Sequence, residues 1–224
     1  MAKITPTKPI LVGLYGFPGS GKSYLARNLS TAMRIANVSA DRIRGELFAR
    51  PRYDNRENAI VSHLMDYMTE EFLSSGVSVI YDTNATRRRQ RHHLQKLAAK
   101  HRADYLLVWL QIDAETSFLR TQHRDRRTTD DRFAAPLSRQ AYDNLLNSMQ
   151  NPEDEDYIVV SGKHAFVTQK TAIVNRLYRE GLINTGTVQS NILAKPGLVN
   201  LVPAPRPTDY TRRNISISQE WPSS

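Results

Sequence analysis

The stretch GFPGSGKSY, residues 16–24, carries the residue types that bind a polyphosphate. Its spacing from Gly16 to Ser23 fits the pattern G-x-x-x-x-G-K-[ST]. In such a loop the glycines let successive backbone N–H groups face phosphate oxygens, the lysine reaches the β- and γ-phosphates, and the hydroxyl residue binds Mg²⁺. We therefore predict a nucleotide site whose ligands are ATP and Mg²⁺. The loop residues predicted to bind nucleotide are Gly16, Pro18, Gly19, Ser20, Gly21, Lys22, Ser23 and Tyr24.

A carboxylate and an arginine follow in the stretch VSADRIRGEL, which places Asp41 at the end of a predicted short strand and Arg44 one helical turn later. A carboxylate there can accept the proton of an attacking hydroxyl and help to bind Mg²⁺, and an arginine can neutralise phosphate charge. The same spacing also fits a helix that Asp41 caps, with Arg44 as its surface partner. Spacing alone leaves both interpretations open.

A second carboxylate, Asp82, ends the apolar run in VSVIYDTNATRRRQR. This is the Walker-B pattern, in which a hydrophobic strand delivers a carboxylate towards the metal or the nucleophile. Thr83 and Asn84 come next and can hydrogen-bond an acceptor. The three residues are also typical of an Asx turn that leads into a helix, and the two uses are compatible.

Two arginines four residues apart, Arg120 and Arg124, lie in FLRTQHRDRRTTDDR. On a helix they share one face, and planar guanidinium groups suit phosphate oxygens. We predict that they belong to a lid, at about residues 120–136, that closes over the nucleotide and excludes water.

The elements that position these residues are predicted from apolar runs that alternate with helical patterns. This alternation indicates crossover units and a three-layer αβα P-loop fold with a five-stranded parallel sheet. The predicted strands are 10–15, a short one before Asp41, 77–81, 105–112 and 157–160. The predicted helices are 22–36, 57–74, 86–101, one through Arg120 and one from about Leu137 with Ser138 as its cap.

Composition restricts the class of protein. The 224 residues include no cysteine, which excludes disulfides and thiolate metal sites. No apolar run approaches the roughly 18 residues of a membrane span, so we expect a cytoplasmic protein with no membrane partner. We assign residues 1–183 to one P-loop domain and residues 184–224, which carry several prolines, to an extended or disordered tail.

The formal net charge of +9 favours polyanionic partners. Its densest run contains no acid and comprises Arg87, Arg88, Arg89, Arg91, Lys96, Lys100 and Arg102. The run predicts a basic helix that can follow the phosphates of a nucleic acid. A helix face that merely contacts solvent is the alternative.

The chain resembles the 5′-kinase domain of bacteriophage-type polynucleotide kinases and the related AAA_33-type kinases. The resemblance rests on four features that occur in this order: GFPGSGKS, DRIR, YDTN with its arginine-rich helix, and the Arg120/Arg124 segment. The likeness covers roughly residues 10–162. It implies an adenylate-kinase-like sheet with the Asp82 strand beside the phosphate-loop strand. It also implies that Asp41 is the general base, that Arg124 is the lid arginine with Arg120 near the nucleotide, and that SGKHAF lies near adenine.

These observations favour an ATP-dependent kinase that transfers the γ-phosphoryl group to a hydroxyl, with a polynucleotide or oligonucleotide 5′-hydroxyl as the leading acceptor. A kinase for a small molecule (sugar, nucleoside, antibiotic or nucleotide sugar, zeta-toxin-like) and a non-catalytic ATP-gated binding protein are the alternatives. The predicted catalytic residues are Lys22, Asp41 and Arg124, and the metal ligands are Ser23, Asp41 and Asp82. The predicted acceptor residues are Asp41, Arg44, Asp82, Thr83, Asn84 and Arg88.

Overall fold

The computed structural model describes residues 3–123 and 137–184. Its strands are Ile10–Gly16 (β1), Ile35–Ser39 (β2), Ser78–Asn84 (β3), Asp104–Gln111 (β4) and Tyr157–Ser161 (β5). They form one sheet in the order β2-β3-β1-β4-β5, and every pairing is parallel. The predicted fold class and the position of the Asp82 strand beside the phosphate-loop strand are confirmed.

Helices cover both faces of this sheet. They are Lys22–Ala32 (α1), Ala40–Leu47 (α2), Asn55–Ser74 (α3), Arg88–Lys100 (α4), Ala114–Gln122 (α5), Arg139–Asn147 (α6) and Phe166–Arg179 (α7). One core cluster joins the sheet to α1 and α7, and a second joins it to α3 and α4.

Strand β1 supplies both cores because successive side chains of a strand point to opposite faces. Val12 packs in the cluster with α1 and α7, whereas Leu11 packs in the cluster with α3 and α4. All seven residues of β1 are buried. An apolar run without polar alternation is what a central parallel strand requires.

The predicted helix 22–36 is too long, since α1 ends at Ala32 and Ile35 begins β2. Residues of β2 pair with β3 from Ile35 beside Ser78 to Ser39 beside Asp82. These tertiary pairings outweigh the helical pattern that runs on through the segment. The predicted strand end at Asp41 is also wrong, because Asp41 lies in the first turn of α2.

Helix α6 begins as predicted, with the Ser138 hydroxyl accepting a hydrogen bond from the Ala141 N–H at 3.2 Å. Arg124 and most of the predicted lid lie outside the described residues, as do residues 185–224 of the predicted tail. The residues that flank the lid segment lie close together, since the Gln122 amide donates to the Leu137 carbonyl at 2.8 Å. Within the ranges described, no helix is both long and apolar enough to cross a membrane.

We expect Val12→Ala to lower the free energy of unfolding by about 2 kcal/mol, because Val12 is only 1% exposed and the lost methyl groups leave a cavity between two helices and the sheet. Val159→Ala is the matched control, since Val159 lies on the edge strand β5 and is 45% exposed. Urea unfolding of the two variants should separate them. Equal losses would contradict the central place assigned to β1.

Candidate phosphate and acceptor site

The phosphate loop connects β1 to α1. Gly21 precedes α1 with φ of 100°, and Gly19 has φ of 85°, both in the region that favours glycine. A Cβ on Gly19 would lie 2.3 Å from the Ser117 carbonyl oxygen of α5. The Ser117 hydroxyl in turn donates to the Pro18 carbonyl. Helix α5 therefore packs directly on the loop, and glycine is required there for both conformation and space.

The loop is also tied to its own lysine and to β3. The Lys22 ammonium donates to the carbonyls of Gly16 at 2.9 Å and Phe17 at 2.8 Å. The Asn84 amide donates to the same Gly16 carbonyl at 2.8 Å. Asn84, predicted to contact an acceptor, thus also supports the phosphate loop at the point where β3 ends.

Ser23 and Asp82 meet at the carboxyl ends of the two adjacent strands, where the Ser23 hydroxyl donates to Asp82 Oδ1 at 3.0 Å. Burial is the largest cause of the raised pKa of Asp82, which is about 6. Hydrogen bonds from Ser23 and Ser39 and the positive charge of Lys22 lower this pKa but do not offset the burial. The negative charge of Asp41 raises this pKa further. The predicted metal ligands therefore lie close enough to interact.

The donor set fits Mg²⁺. Its ligands are hard oxygens, and Mg²⁺ is usually bound by one or two carboxylates together with substrate phosphates. Two carboxylates that repel each other, with a hydroxyl beside them, provide such a set. Among the described residues no cluster of three or more His, Cys, Asp or Glu could hold a metal.

A cavity of about 570 Å³ opens in front of the loop. Its predicted lining residues are Pro18, Gly19, Gly21, Lys22, Ser23, Tyr24, Asp41, Asp82, Thr83, Asn84 and Arg120. Lining residues that sequence analysis missed are Arg27, Ala40, Tyr53, Thr86, Leu137, Leu145 and Met149. The apolar residues Leu145 and Met149, four apart after a capped helix start, are the signal that could have found this apolar wall, although α6 ends at Asn147, before Met149.

Arg120 lies at the end of α5 and lines this cavity, and its guanidinium donates to the Gly162 carbonyl at 2.9 Å. Gly162 itself approaches the phosphate loop, since a Cβ there would lie 2.6 Å from the Ser20 carbonyl oxygen. The turn that begins SGKHAF and the lid-side arginine therefore lie together beside the loop. Contact of Arg120 and of the SGKHAF turn with the nucleotide stays a prediction.

Arg44 and Arg88 are not among the residues that line the described cavity. Arg44 is 6% exposed and packs between α2 and α3, where its guanidinium donates to Asn58 at 2.8 Å and lies 3.5 Å from Glu57. The guanidinium also stacks on the Tyr53 ring at 4.7 Å, and Tyr53 does line the cavity. Arg44 thus supports the wall from behind rather than forming it.

Comparison with known proteins gives the chain its family. The profile of the AAA_33 family, described as an AAA domain, matches residues 11–152, which include the phosphate loop, Asp41 and Asp82. The chain belongs to the AAA_33 family. No curated protein matches it.

Solved structures resemble this AAA_33 chain in fold. Kti12 from Chaetomium thermophilum, in complex with ADP-AlF3, is 16% identical with a TM-score of 0.57 over 78% of this chain and 99% of its own. The APS kinase CysC from Mycobacterium tuberculosis, in complex with AMPPNP and APS, is 16% identical with a TM-score of 0.54 over 77% and 99%. The Pnkp1/Rnl/Hen1 RNA repair complex is 19% identical with a TM-score of 0.54 over 66% and 45%.

Asp82→Asn is expected to stabilise the protein in the absence of nucleotide and Mg²⁺. The folded state raises the pKa of Asp82 from 3.8 to about 6, so its contribution to stability is greatest at low pH and is lost as the pH rises through about 6. Neutralising the side chain should therefore raise the free energy of unfolding at pH 8, by on the order of 2 kcal/mol, but not at pH 4.

Urea unfolding of wild type and variant in EDTA across this pH range measures the difference. Asp154→Asn, in an exposed loop, is the control. If the free energies of unfolding of wild type and Asp82→Asn changed in parallel with pH, the raised pKa of Asp82 would be contradicted.

Proposed function

We propose that this chain is an ATP-dependent kinase that transfers the γ-phosphoryl group to a hydroxyl, and that a polynucleotide or oligonucleotide 5′-hydroxyl is its acceptor. One observation carries the proposal: the lysine and serine of the phosphate loop share a single cavity with Asp82 and with a second carboxylate, Asp41. Since one carboxylate together with substrate phosphates can be enough to bind Mg²⁺, the other is available to accept a proton from the attacking hydroxyl.

Each group has a role in the proposed reaction. Lys22 and the loop amides bind the phosphates, and Ser23 and Asp82 hold Mg²⁺, which neutralises charge that develops on the phosphate oxygens. The acceptor oxygen bonds to the γ-phosphorus, the bond to the β–γ bridging oxygen breaks, and Asp41 takes the hydroxyl proton. The products are ADP and the phosphorylated acceptor. Arg120, and Arg124 from the predicted lid, would neutralise the transferring group.

A nucleic-acid acceptor is supported by the start of α4. Arg87, Arg88 and Arg89 are exposed there, and no ion pair to them is seen among the described residues. They directly follow Thr86, which lines the cavity. An extended polyanion whose 5′ end enters the cavity would pass these guanidinium groups, and phosphate contacts of this kind position a strand without reading its sequence.

A small-molecule acceptor is the second candidate. The cavity volume of about 570 Å³ falls within the range of small-ligand pockets. One solved structure with this fold, the APS kinase, is described with APS bound. Incubation with γ-labelled ATP and two panels, 5′-hydroxyl oligonucleotides and small alcohols, separates the candidates. Label on small alcohols alone would overturn the nucleic-acid acceptor.

Lys22→Ala and Asp41→Asn are expected to fail at different steps. Without Lys22 the protein should lose Mg·ATP binding, measured by calorimetry. Asp41→Asn should bind Mg·ATP within about threefold of wild type while phosphate transfer falls by about 10² to 10⁴, because a missing base affects the chemical step. Glu71→Gln, at an exposed acid on α3, should change neither quantity. Full transfer activity in Asp41→Asn would argue for another base, whereas a wild-type protein that binds Mg·ATP but labels no acceptor would argue for the non-catalytic alternative.

The arginines at the start of α4 can be tested by salt dependence. We expect the double variant Arg87→Gln/Arg89→Gln to bind a 5′-hydroxyl oligonucleotide more weakly. The slope of log K against log salt should fall by about 1.4, because each of the two lost phosphate contacts contributes about 0.7 on a single strand. The matched control is Lys96→Gln/Arg102→Gln, with exposed residues farther along the same basic run. Equal slopes for both double variants would argue against this path for the strand.

A further inference from the structure

Arg91 belongs to the basic run of α4, yet it is fully buried. Its Nε and Nη2 donate to the two carboxylate oxygens of Glu155, each at 2.7 Å. Its Nη1 donates to the carbonyls of Ala85 at 3.1 Å and Gln150 at 2.8 Å. A guanidinium used in this way is not available to a nucleic acid. Its bidentate geometry holds Glu155 and Gln150 in one arrangement.

Glu155 and Gln150, which accept these hydrogen bonds, lie in the loop between α6 and β5. We call this segment, residues 148–156, the α6–β5 loop. Two further contacts attach this loop to the connection between β3 and α4. The Gln150 N–H donates to the Thr86 carbonyl, and the Arg88 N–H donates to the Gln150 side-chain oxygen, each at 2.9 Å. The loop is therefore held to the segment that follows Asp82.

The same loop is attached to the strand that enters the phosphate loop. The hydroxyl of Tyr15, the residue before Gly16, donates to Asn151 Oδ1 at 2.7 Å. The Arg91 guanidinium lies over the Tyr15 ring at 5.3 Å, and this ring is 1% exposed. Arg91 thus contacts Glu155 and Gln150 of the loop and also Tyr15, one of the residues that hold the loop in place.

The α6–β5 loop carries one wall of the cavity. Met149 belongs to it and Leu145 precedes it on α6, and both line the cavity together with Thr86. The opposite, phosphate-binding side is supported by other contacts, those of Asn84 with Gly16 and of Ser117 with Pro18. Loosening the α6–β5 loop should therefore move the apolar wall and leave the nucleotide site unchanged.

We propose that Arg91, through its ion pair with Glu155, is a positioning residue for the acceptor: it holds the α6–β5 loop so that Leu145 and Met149 form the wall against which the acceptor packs. The inference rests on the proposed function, since it takes this cavity to receive the acceptor. It assigns Arg91 a different role from that of Arg87 and Arg89, which lie on the surface of the same basic run.

The test uses Glu155→Gln, which keeps the shape of the side chain and removes its charge, and Tyr15→Phe, which keeps the ring and removes the hydrogen bond to Asn151. We expect Glu155→Gln to raise the KM for the acceptor about 10-fold, because small displacements of a substrate-positioning wall have large effects. Tyr15→Phe should raise it less. The Kd for Mg·ATP and the kcat at saturating acceptor should stay within about twofold of wild type.

Hydrogen exchange supplies a readout that does not depend on activity, and amides of residues 139–156 should exchange faster in both variants. Lys8→Gln is the matched control. It breaks an exposed ion pair with Asp104 at the amino end of the sheet, remote from the cavity, and should change neither KM nor exchange in residues 139–156. Because Glu155→Gln leaves a buried guanidinium without its counter-charge, it can fail to fold, and Tyr15→Phe then decides.

An unchanged acceptor KM in folded variants whose residues 139–156 exchange faster would overturn the inference, because the cluster would then stabilise the fold without positioning the acceptor. Unchanged exchange would overturn it as well. A wild-type protein that labels an acceptor, with variants of normal KM, would remove this inference alone. A wild-type protein that labels no acceptor would remove the proposed function and this inference with it.

Discussion

The hydrogen bond between the Ser23 hydroxyl and the Asp82 carboxylate is the contact on which the site depends, because it joins the first turn of α1 to the end of β3. Parallel pairing of β1 with β3 brings both residues to the same edge of the sheet. Burial there makes the ionised carboxylate unfavourable, and Asp41 adds repulsion. A cation held by both carboxylates, as proposed above, would relieve that cost, so the arrangement that weakens the protein alone would favour the metal.

The parts of this site that are local in sequence could be predicted from it. The phosphate loop is one continuous segment whose glycines meet a backbone requirement, and Asp82 ends an apolar run that only a buried strand explains. The order of the strands does not follow from periodicity, and the resemblance to a known family implied only one part of it, the Asp82 strand beside the phosphate-loop strand. The long helix expected at residues 22–36 fails because pairing of Ile35 to Ser39 with β3 is a long-range interaction that no local pattern records.

The partners of the arginines are a clearer example of long-range contacts that the sequence does not reveal. Sequence analysis treated the run from Arg87 to Arg102 as one surface, but the fold divides it. Arg91 is buried against Glu155, an acid 64 residues away, and Lys100 pairs with Glu70 on α3. Arg44 likewise turns to Glu57 and Asn58 instead of the cavity. A charged side chain's partner depends on which elements pack together, and a linear count of charges cannot contain that information.

Lys22 has oxygen partners within the protein, namely the carbonyls of Gly16 and Phe17. To reach a phosphate chain the ammonium has to exchange these for new oxygens, while Asn84 keeps the Gly16 carbonyl occupied. In the proposed function, nucleotide recognition by this loop would therefore replace one set of hydrogen bonds by another. Its heat of association should be smaller than a count of the final contacts suggests, and ligands that offer a single weak anion gain little from the exchange.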